Sequence, residues 1–110
     1  MTLAEIIRKG HGRSHAWTVL RIFTEPDSSN WYTELWHYNT KMLTWNYNGS
    51  EIELLDSSIG RGSVSDQNGC NTAFKVLGLP YYYSRAGGAR ITGPSTCPAF
   101  LTLQGKGEVK

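Results

Sequence analysis

The chain has 110 residues, of which 39% are hydrophobic and 18% are charged, and its formal net charge is +2. This length and composition predict a single globular domain over residues 1–110 and exclude a disordered chain. A net charge this small also excludes nucleic-acid binding by bulk positive charge, so any anion site has to be local.

The N-terminal segment predicts a short helix. Thr2 and Glu5 have the spacing of a capping box, and Gly10 is a typical residue after a helix end. Three apolar side chains share one face at helical spacing: Leu3, Ile6 and Ile7. Residues 11–15 (HGRSH) are then expected to be a polar linker, because Gly12 disfavours a helix on which His11 and His15 could share a metal ion.

Four β-strands are predicted next, over residues 17–24, 31–38, 41–47 and 51–55, which are rich in β-branched and aromatic residues. The segments between them have turn composition, and Asn48-Gly49 is the strongest hairpin signal in the chain. Consecutive strands joined by short turns predict an antiparallel meander.

The second predicted strand carries aromatic residues on both faces. Alternation places Trp31, Thr33, Leu35 and His37 on one side, and Tyr32, Glu34, Trp36 and Tyr38 on the other. One face can pack under a helix. The other then exposes Trp or Tyr side chains unless a further layer or a partner covers it.

The main helix is expected to begin near Ser63 or Ser65 and to end at Leu77. Ser63 and Asp66 resemble a capping box, and Gly78 suits the left-handed residue after the helix. Its apolar stripe has i, i+3, i+4, i+7 spacing: Cys70, Ala73, Phe74 and Leu77.

The C-terminal third gives weaker patterns. Residues 81–83 are expected to be extended, residues 89–92 and 99–103 are strand candidates, and residues 105–110 are expected to be a frayed tail. The fold class predicted for the whole chain is therefore α+β. It consists of an antiparallel meander sheet of four to six strands, one main helix packed on one face and a short N-terminal helix.

Two segments have the chemistry of an anion or nucleotide site. In residues 60–65 (GRGSVS), glycines and helix-start amides can approach an anion beside Arg61, Ser63 and Ser65, although the ending of a Walker A loop is missing. In residues 81–90, Tyr82 can stack a base while Arg85 and Arg90 hold phosphate. Each segment also has a plain structural interpretation: a capped helix after an ordinary turn, and a half-buried strand before a glycine hairpin.

A third combination suggests a small nuclease that uses His37, Glu34 and an arginine. Glu34 and His37 fall on opposite faces of a regular strand, which weakens this alternative.

The two cysteines, Cys70 and Cys97, form no CxxC pair, so we expect no zinc site. They are expected to be free thiols in a reducing cytoplasm, and a disulfide between them stays open.

The segment SVSDQNGCNTAFKVLGLPYYYSRAGGARI, with HYNTKMLTW before it, resembles a pattern of small phage-encoded proteins. The resemblance covers about the central two-thirds of the chain. It implies phage origin, but it brings no enzyme activity and no binding residues with it.

The function expected from the sequence is a non-enzymatic binding module for a nucleotide or nucleic acid, possible roles being host takeover or counter-defence. Its predicted site consists of Arg61, Ser63, Ser65, Tyr82, Arg85 and Arg90. The alternatives are a module that inhibits a host protein through its exposed aromatic sheet face, and the small nuclease. We expect no cofactor, no catalytic residue, no metal and no membrane partner, and a cytoplasmic location in the producing or infected cell. The oligomeric state stays open, including a homo-oligomer.

Overall fold

The structure is a computed structural model, and it describes residues 1–23, 31–48 and 51–93. It contains two helices, α1 (Leu3–Lys9) and α2 (Val64–Leu77). The strands follow in chain order: β1 (Gly12–Ser14), β2 (Trp17–Phe23), β3 (Trp31–His37), β4 (Thr40–Asn48), β5 (Glu51–Ser57), β6 (Tyr82–Ser84) and β7 (Arg90–Thr92).

The main sheet is an antiparallel meander of five strands in the order β1-β2-β3-β4-β5. This confirms the predicted α+β class and the predicted topology. β6 and β7 form a separate two-stranded antiparallel sheet, as expected for a hairpin around Gly87-Gly88. The strand candidate at residues 99–103, Cys97 and the tail at residues 105–110 lie outside the described residues.

The prediction of a polar linker over residues 11–15 was wrong, because most of this segment forms β1 and pairs with β2. Gly12 lies opposite Val19, and Ser14 lies opposite Trp17. Gly12 has φ +129°, and a Cβ atom there would lie 2.9 Å from Ile6 Cγ2. The glycine that argued against a helix therefore lets the strand pass close beneath α1.

Both helices have the predicted caps. Thr2 with Glu5 and Ser63 with Asp66 form complete capping boxes, so each pair satisfies two backbone amides at its helix start. Gly78 is left-handed at φ +70°, and the Leu79 amide donates to the Phe74 carbonyl. The chain therefore leaves α2 sharply and turns towards β6.

The core lies between one face of the main sheet and a layer formed by α1, α2 and the small sheet. Its members come from every part of this arrangement and include Ile6, Val19, Leu35, Trp45, Leu54, Cys70, Phe74 and Tyr83. The predicted stripe of α2 is buried throughout, and Tyr81 and Tyr83 are buried while Tyr82 is exposed, as alternation predicted.

Candidate functional site

The most unusual polar feature of the interior is a hydrogen bond between β3 and α2. The Nδ1 atom of His37 lies 2.7 Å from Oδ1 of Asp66, and both side chains are buried. An ionised carboxylate only accepts hydrogen bonds. The Nδ1 atom of His37 therefore carries the proton and donates the hydrogen bond to Asp66. This fixes the orientation of the imidazole and leaves Nε2 as its other nitrogen.

Asp66 also accepts hydrogen bonds from two backbone amides of the loop before α2. Its Oδ2 atom accepts from the backbone amides of Arg61 at 3.0 Å and Ser63 at 3.2 Å. Burial by itself raises the pKa of Asp66, but the hydrogen bonds from His37, Ser63 and Arg61 outweigh it and the pKa is lowered from 3.8. Asp66 is therefore ionised at neutral pH, and its charge is compensated by amides at the start of the helix.

One face of the imidazole ring of His37 is covered by the aromatic ring of Trp17. Trp17 lies opposite His37 in the sheet register, and the two rings stack with centroids 4.0 Å apart and an interplanar angle of 8°. Trp17 in turn packs against Gly69 of α2, where any Cβ atom would overlap the indole. The His37 ring is thus fixed by a hydrogen bond in its plane and by a stacked ring against its face.

The turn between β3 and β4 places a strained, exposed tyrosine next to His37. Tyr38 has φ +55°, is 74% exposed, and lies with its ring centroid 4.7 Å from that of His37. His37 pairs with Thr40, so Tyr38 is the first residue of a two-residue turn, a position at positive φ that glycine usually fills. A bulky residue in this conformation is a reason to look for function.

These groups surround a pocket of about 350 Å³. Its lining residues come from the β3–β4 turn and from the loop and first turn of α2: His37, Tyr38, Asn39, Thr40, Arg61, Ser63 and Asp66. Among the described residues, no carboxylate lies within ion-pair distance of the Arg61 guanidinium. The pocket therefore combines a free cation, hydroxyl and amide groups, an imidazole and an exposed ring.

The structure brings two of the six predicted site residues, Arg61 and Ser63, into this pocket. Ser65 faces away and lines a second pocket of about 370 Å³, which Trp17 also borders. The Ser63 hydroxyl oxygen accepts from the Asp66 amide at 3.0 Å, so part of its capacity is used by the helix cap.

The other three predicted residues lie on the β6–β7 hairpin. Arg85 is exposed, and its Nε atom donates to the Gly62 carbonyl at 2.8 Å, which ties the hairpin to the loop that carries Arg61. Tyr82 and Arg90 are exposed on β6 and β7, and neither lines the pocket that contains Arg61.

Glu34, the carboxylate predicted for the nuclease alternative, does not lie beside His37. Glu34 accepts from Trp36 Nε1 at 3.0 Å and lies 3.5 Å from Lys41 Nζ, on the sheet face opposite His37. Asp66 takes the place beside His37. Sequence reasoning assigned Asp66 to the helix cap and did not see that the same carboxylate reaches β3, because contacts 29 residues apart carry no local signal.

The outer face of the main sheet also carries apolar side chains. Four apolar side chains share this face by register, and none belongs to the core cluster: Leu20, Ile22, Tyr32 and Trp36.

In the described ranges there is no helix long and apolar enough to cross a membrane. The same ranges contain no group of three His, Cys, Asp or Glu side chains arranged to hold a metal ion.

Comparison of the chain with protein-family models, with curated proteins and with solved structures finds no match.

Proposed function

We propose that the protein is a binding module for a nucleotide or a nucleic-acid strand, and that the pocket between Tyr38 and Arg61 is its site. The observation that carries the proposal is that one pocket is lined both by Arg61, whose guanidinium has no carboxylate partner among the described residues, and by the exposed Tyr38. A cation for phosphate and a ring for a base are the two elements that nucleotide recognition needs.

The electrostatics of the pocket favour an anion although Asp66 lies at its wall. Both carboxylate oxygens of Asp66 are already engaged, by His37 and by two backbone amides. The positive end of the α2 dipole lies at the same place. Arg61 therefore supplies the cation that is free to pair with an incoming phosphate.

The volume of the pocket and the residues of the β3–β4 turn indicate the size and the kind of ligand. A pocket of about 350 Å³ is at the small end of ligand sites, which fits one nucleotide or one unit of a longer strand. Tyr38 has little of its ring surface buried, so a base can stack on it while Asn39 and Thr40 offer hydrogen bonds.

Phage origin and a role in host takeover or counter-defence are part of the proposal, and they rest on the resemblance of the central segment alone. A small module that sequesters a nucleotide or a strand fits such a role.

The test is calorimetric titration with mono-, di- and cyclic nucleotides and with short single strands at low salt. Wild type is expected to bind at least one of them, with affinity that falls as salt rises. Arg61→Ala is expected to weaken binding by about 10- to 100-fold, since a charge-assisted hydrogen bond is lost. Arg13→Ala, which removes an exposed arginine from β1, is the matched control and should bind as wild type does.

Arg85→Ala separates the predicted hairpin site from the pocket. Because Arg85 supports the loop through the Gly62 carbonyl, we expect a smaller loss of affinity than for Arg61→Ala, with thermal stability nearly unchanged. If wild type binds none of these ligands at low salt, the proposal is wrong. The outer face with Tyr32 and Trp36 then becomes the better candidate, as a surface for a host protein.

A further inference from the structure

The contacts of His37 with Asp66 and Trp17 fix the orientation of its imidazole ring, which binding of a ligand alone does not require. A buried histidine that lines a pocket, and whose Nδ1 donates to a buried carboxylate, is the arrangement by which proteins hold an imidazole ready to take a proton at Nε2. Stacking on Trp17 prevents the ring from turning away. Arg61 lines the same pocket, and a guanidinium there can balance negative charge that develops in a reaction.

We propose that this pocket cleaves RNA, with His37 as general base, Arg61 as the group that stabilises the phosphorane-like transition state, and Asp66 as a positioning residue. The proposal rests on the proposed function, because the substrate is a strand of the class that the site is inferred to bind. It gives the pocket a reaction, whereas the proposed function gives it only a ligand.

The nucleophile has to come from the substrate or from a side chain of the pocket. The Ser63 hydroxyl oxygen accepts from the Asp66 amide and caps α2, and the described residues that line the pocket include no cysteine. Ribose carries its own nucleophile, the 2′-hydroxyl, next to the phosphodiester. A single base together with a cation is sufficient for that substrate.

The step balances without a further reactant. His37 Nε2 takes the proton of the 2′-hydroxyl, the 2′-oxygen forms a bond to phosphorus, and the bond from phosphorus to the 5′-oxygen breaks. The leaving 5′-oxygen takes a proton from water, which reaches the pocket past the exposed Tyr38 and Asn39. His37 then returns its proton to solvent. The products are a 2′,3′-cyclic phosphate end and a 5′-hydroxyl end.

The experiment uses a DNA strand that contains one ribonucleotide, with an all-DNA strand of the same sequence as the control. Wild type is expected to cleave on the 3′ side of the ribonucleotide, to leave a 2′,3′-cyclic phosphate, and to leave the all-DNA strand intact. His37→Gln, purified in parallel, is expected to lose about 10²- to 10⁴-fold in rate. Calorimetry on the same variant checks that the strand still binds.

Three further variants sharpen the test. Added imidazole is expected to restore part of the rate to His37→Ala, because the substitution leaves a space beside Trp17. Asp66→Asn is expected to lower kcat more than it changes KM, and ¹⁵N NMR of His37 should show loss of the Nδ1–H tautomer. Arg13→Ala should cleave as wild type does, since this exposed arginine of β1 does not line the pocket.

The outcomes separate this inference from the proposed function. Binding of the strand by wild type without cleavage above the His37→Gln level overturns the reaction and leaves the binding module. Cleavage of the all-DNA strand overturns the role of the 2′-hydroxyl. Absence of both binding and cleavage overturns both proposals.

Discussion

The indole ring of Trp17 packs against Gly69 so closely that a Cβ atom at Gly69 would overlap the six-membered ring. Glycine inside a helix normally costs about 1 kcal/mol relative to alanine. Here the missing side chain lets β2 and α2 approach, and Trp17 can then stack on His37. The stack that orients the imidazole therefore depends on a residue that never touches the pocket.

Gly69→Ala is accordingly expected to destabilise the protein, although it raises helix propensity. Overpacking costs about 1–3 kcal/mol, which exceeds the gain of about 1 kcal/mol in propensity. Urea unfolding measures the difference. Asn68→Ala, at the exposed neighbouring position, is the matched control and should change the free energy of unfolding by less than about 0.5 kcal/mol. A Gly69→Ala protein as stable as wild type would show that Trp17 does not pack on the helix.

Phe74→Ala tests the core beneath α2. Phe74 is buried and contacts Tyr81 with ring centroids 5.7 Å apart, so its removal leaves a cavity between the helix and the chain that enters β6. We expect a loss of about 3–5 kcal/mol. Lys75→Ala, on the exposed side of the same turn, should be close to neutral, and a loss below about 1 kcal/mol for Phe74→Ala would contradict the placement of the helix.

The ionisation of Asp66 makes the free energy of unfolding depend on pH. Its folded-state pKa lies below the ordinary value of 3.8, so its contribution to stability is complete above that value and is lost as the pH falls towards the folded-state pKa. Asp66→Asn is expected to lower the free energy of unfolding by about 2–3 kcal/mol at neutral pH, because three donors lose a charged acceptor. Urea unfolding from neutral pH into the acid range should show a shrinking difference between the two proteins. A constant difference would mean that the carboxylate is not the group that titrates.

Cys70 is expected to be inert in the folded protein. It is fully buried and is a free thiol, and burial raises its pKa well above the usual range for cysteine. A Cys97→Ser variant, in which only Cys70 can react, should not be labelled by iodoacetamide without denaturant and should be labelled fully in urea. Mass spectrometry reads the modification, and rapid labelling of the native variant would show that α2 opens or is packed differently.

The elements that sequence could predict are those whose signals are local. The caps of α2, its apolar stripe and the alternation of Tyr81, Tyr82 and Tyr83 follow from spacing alone, and all are confirmed. β1 was missed because it has three residues, and its pairing with β2 outweighs the unfavourable propensity of Gly12.

The candidate pocket could be predicted only in part. Arg61 and Ser63 lie in a loop whose composition predicts an anion site, so both were among the predicted site residues, and both line the pocket. His37 and Asp66 belong to different elements, and each already had a local explanation, as a strand residue and as a helix cap. Their contact depends on how α2 crosses the sheet, which in turn depends on the space at Gly69. Tyr38 looked like an ordinary strand residue because positive φ has no sequence signature for tyrosine.

Tyr38→Gly distinguishes a strained ligand contact from an ordinary turn residue. Glycine adopts φ +55° without strain, so the variant is expected to be as stable as wild type or up to about 1 kcal/mol more stable. Nucleotide affinity should nevertheless fall by about 5- to 150-fold, since a stacked base loses about 1–3 kcal/mol. His15→Gly is the matched control, because His15 has φ 54° in the neighbouring turn and lines the other pocket. Thermal unfolding and calorimetry on both variants separate the two effects. Equal affinities for wild type and Tyr38→Gly would remove Tyr38 from the site and leave its strained backbone without a binding role.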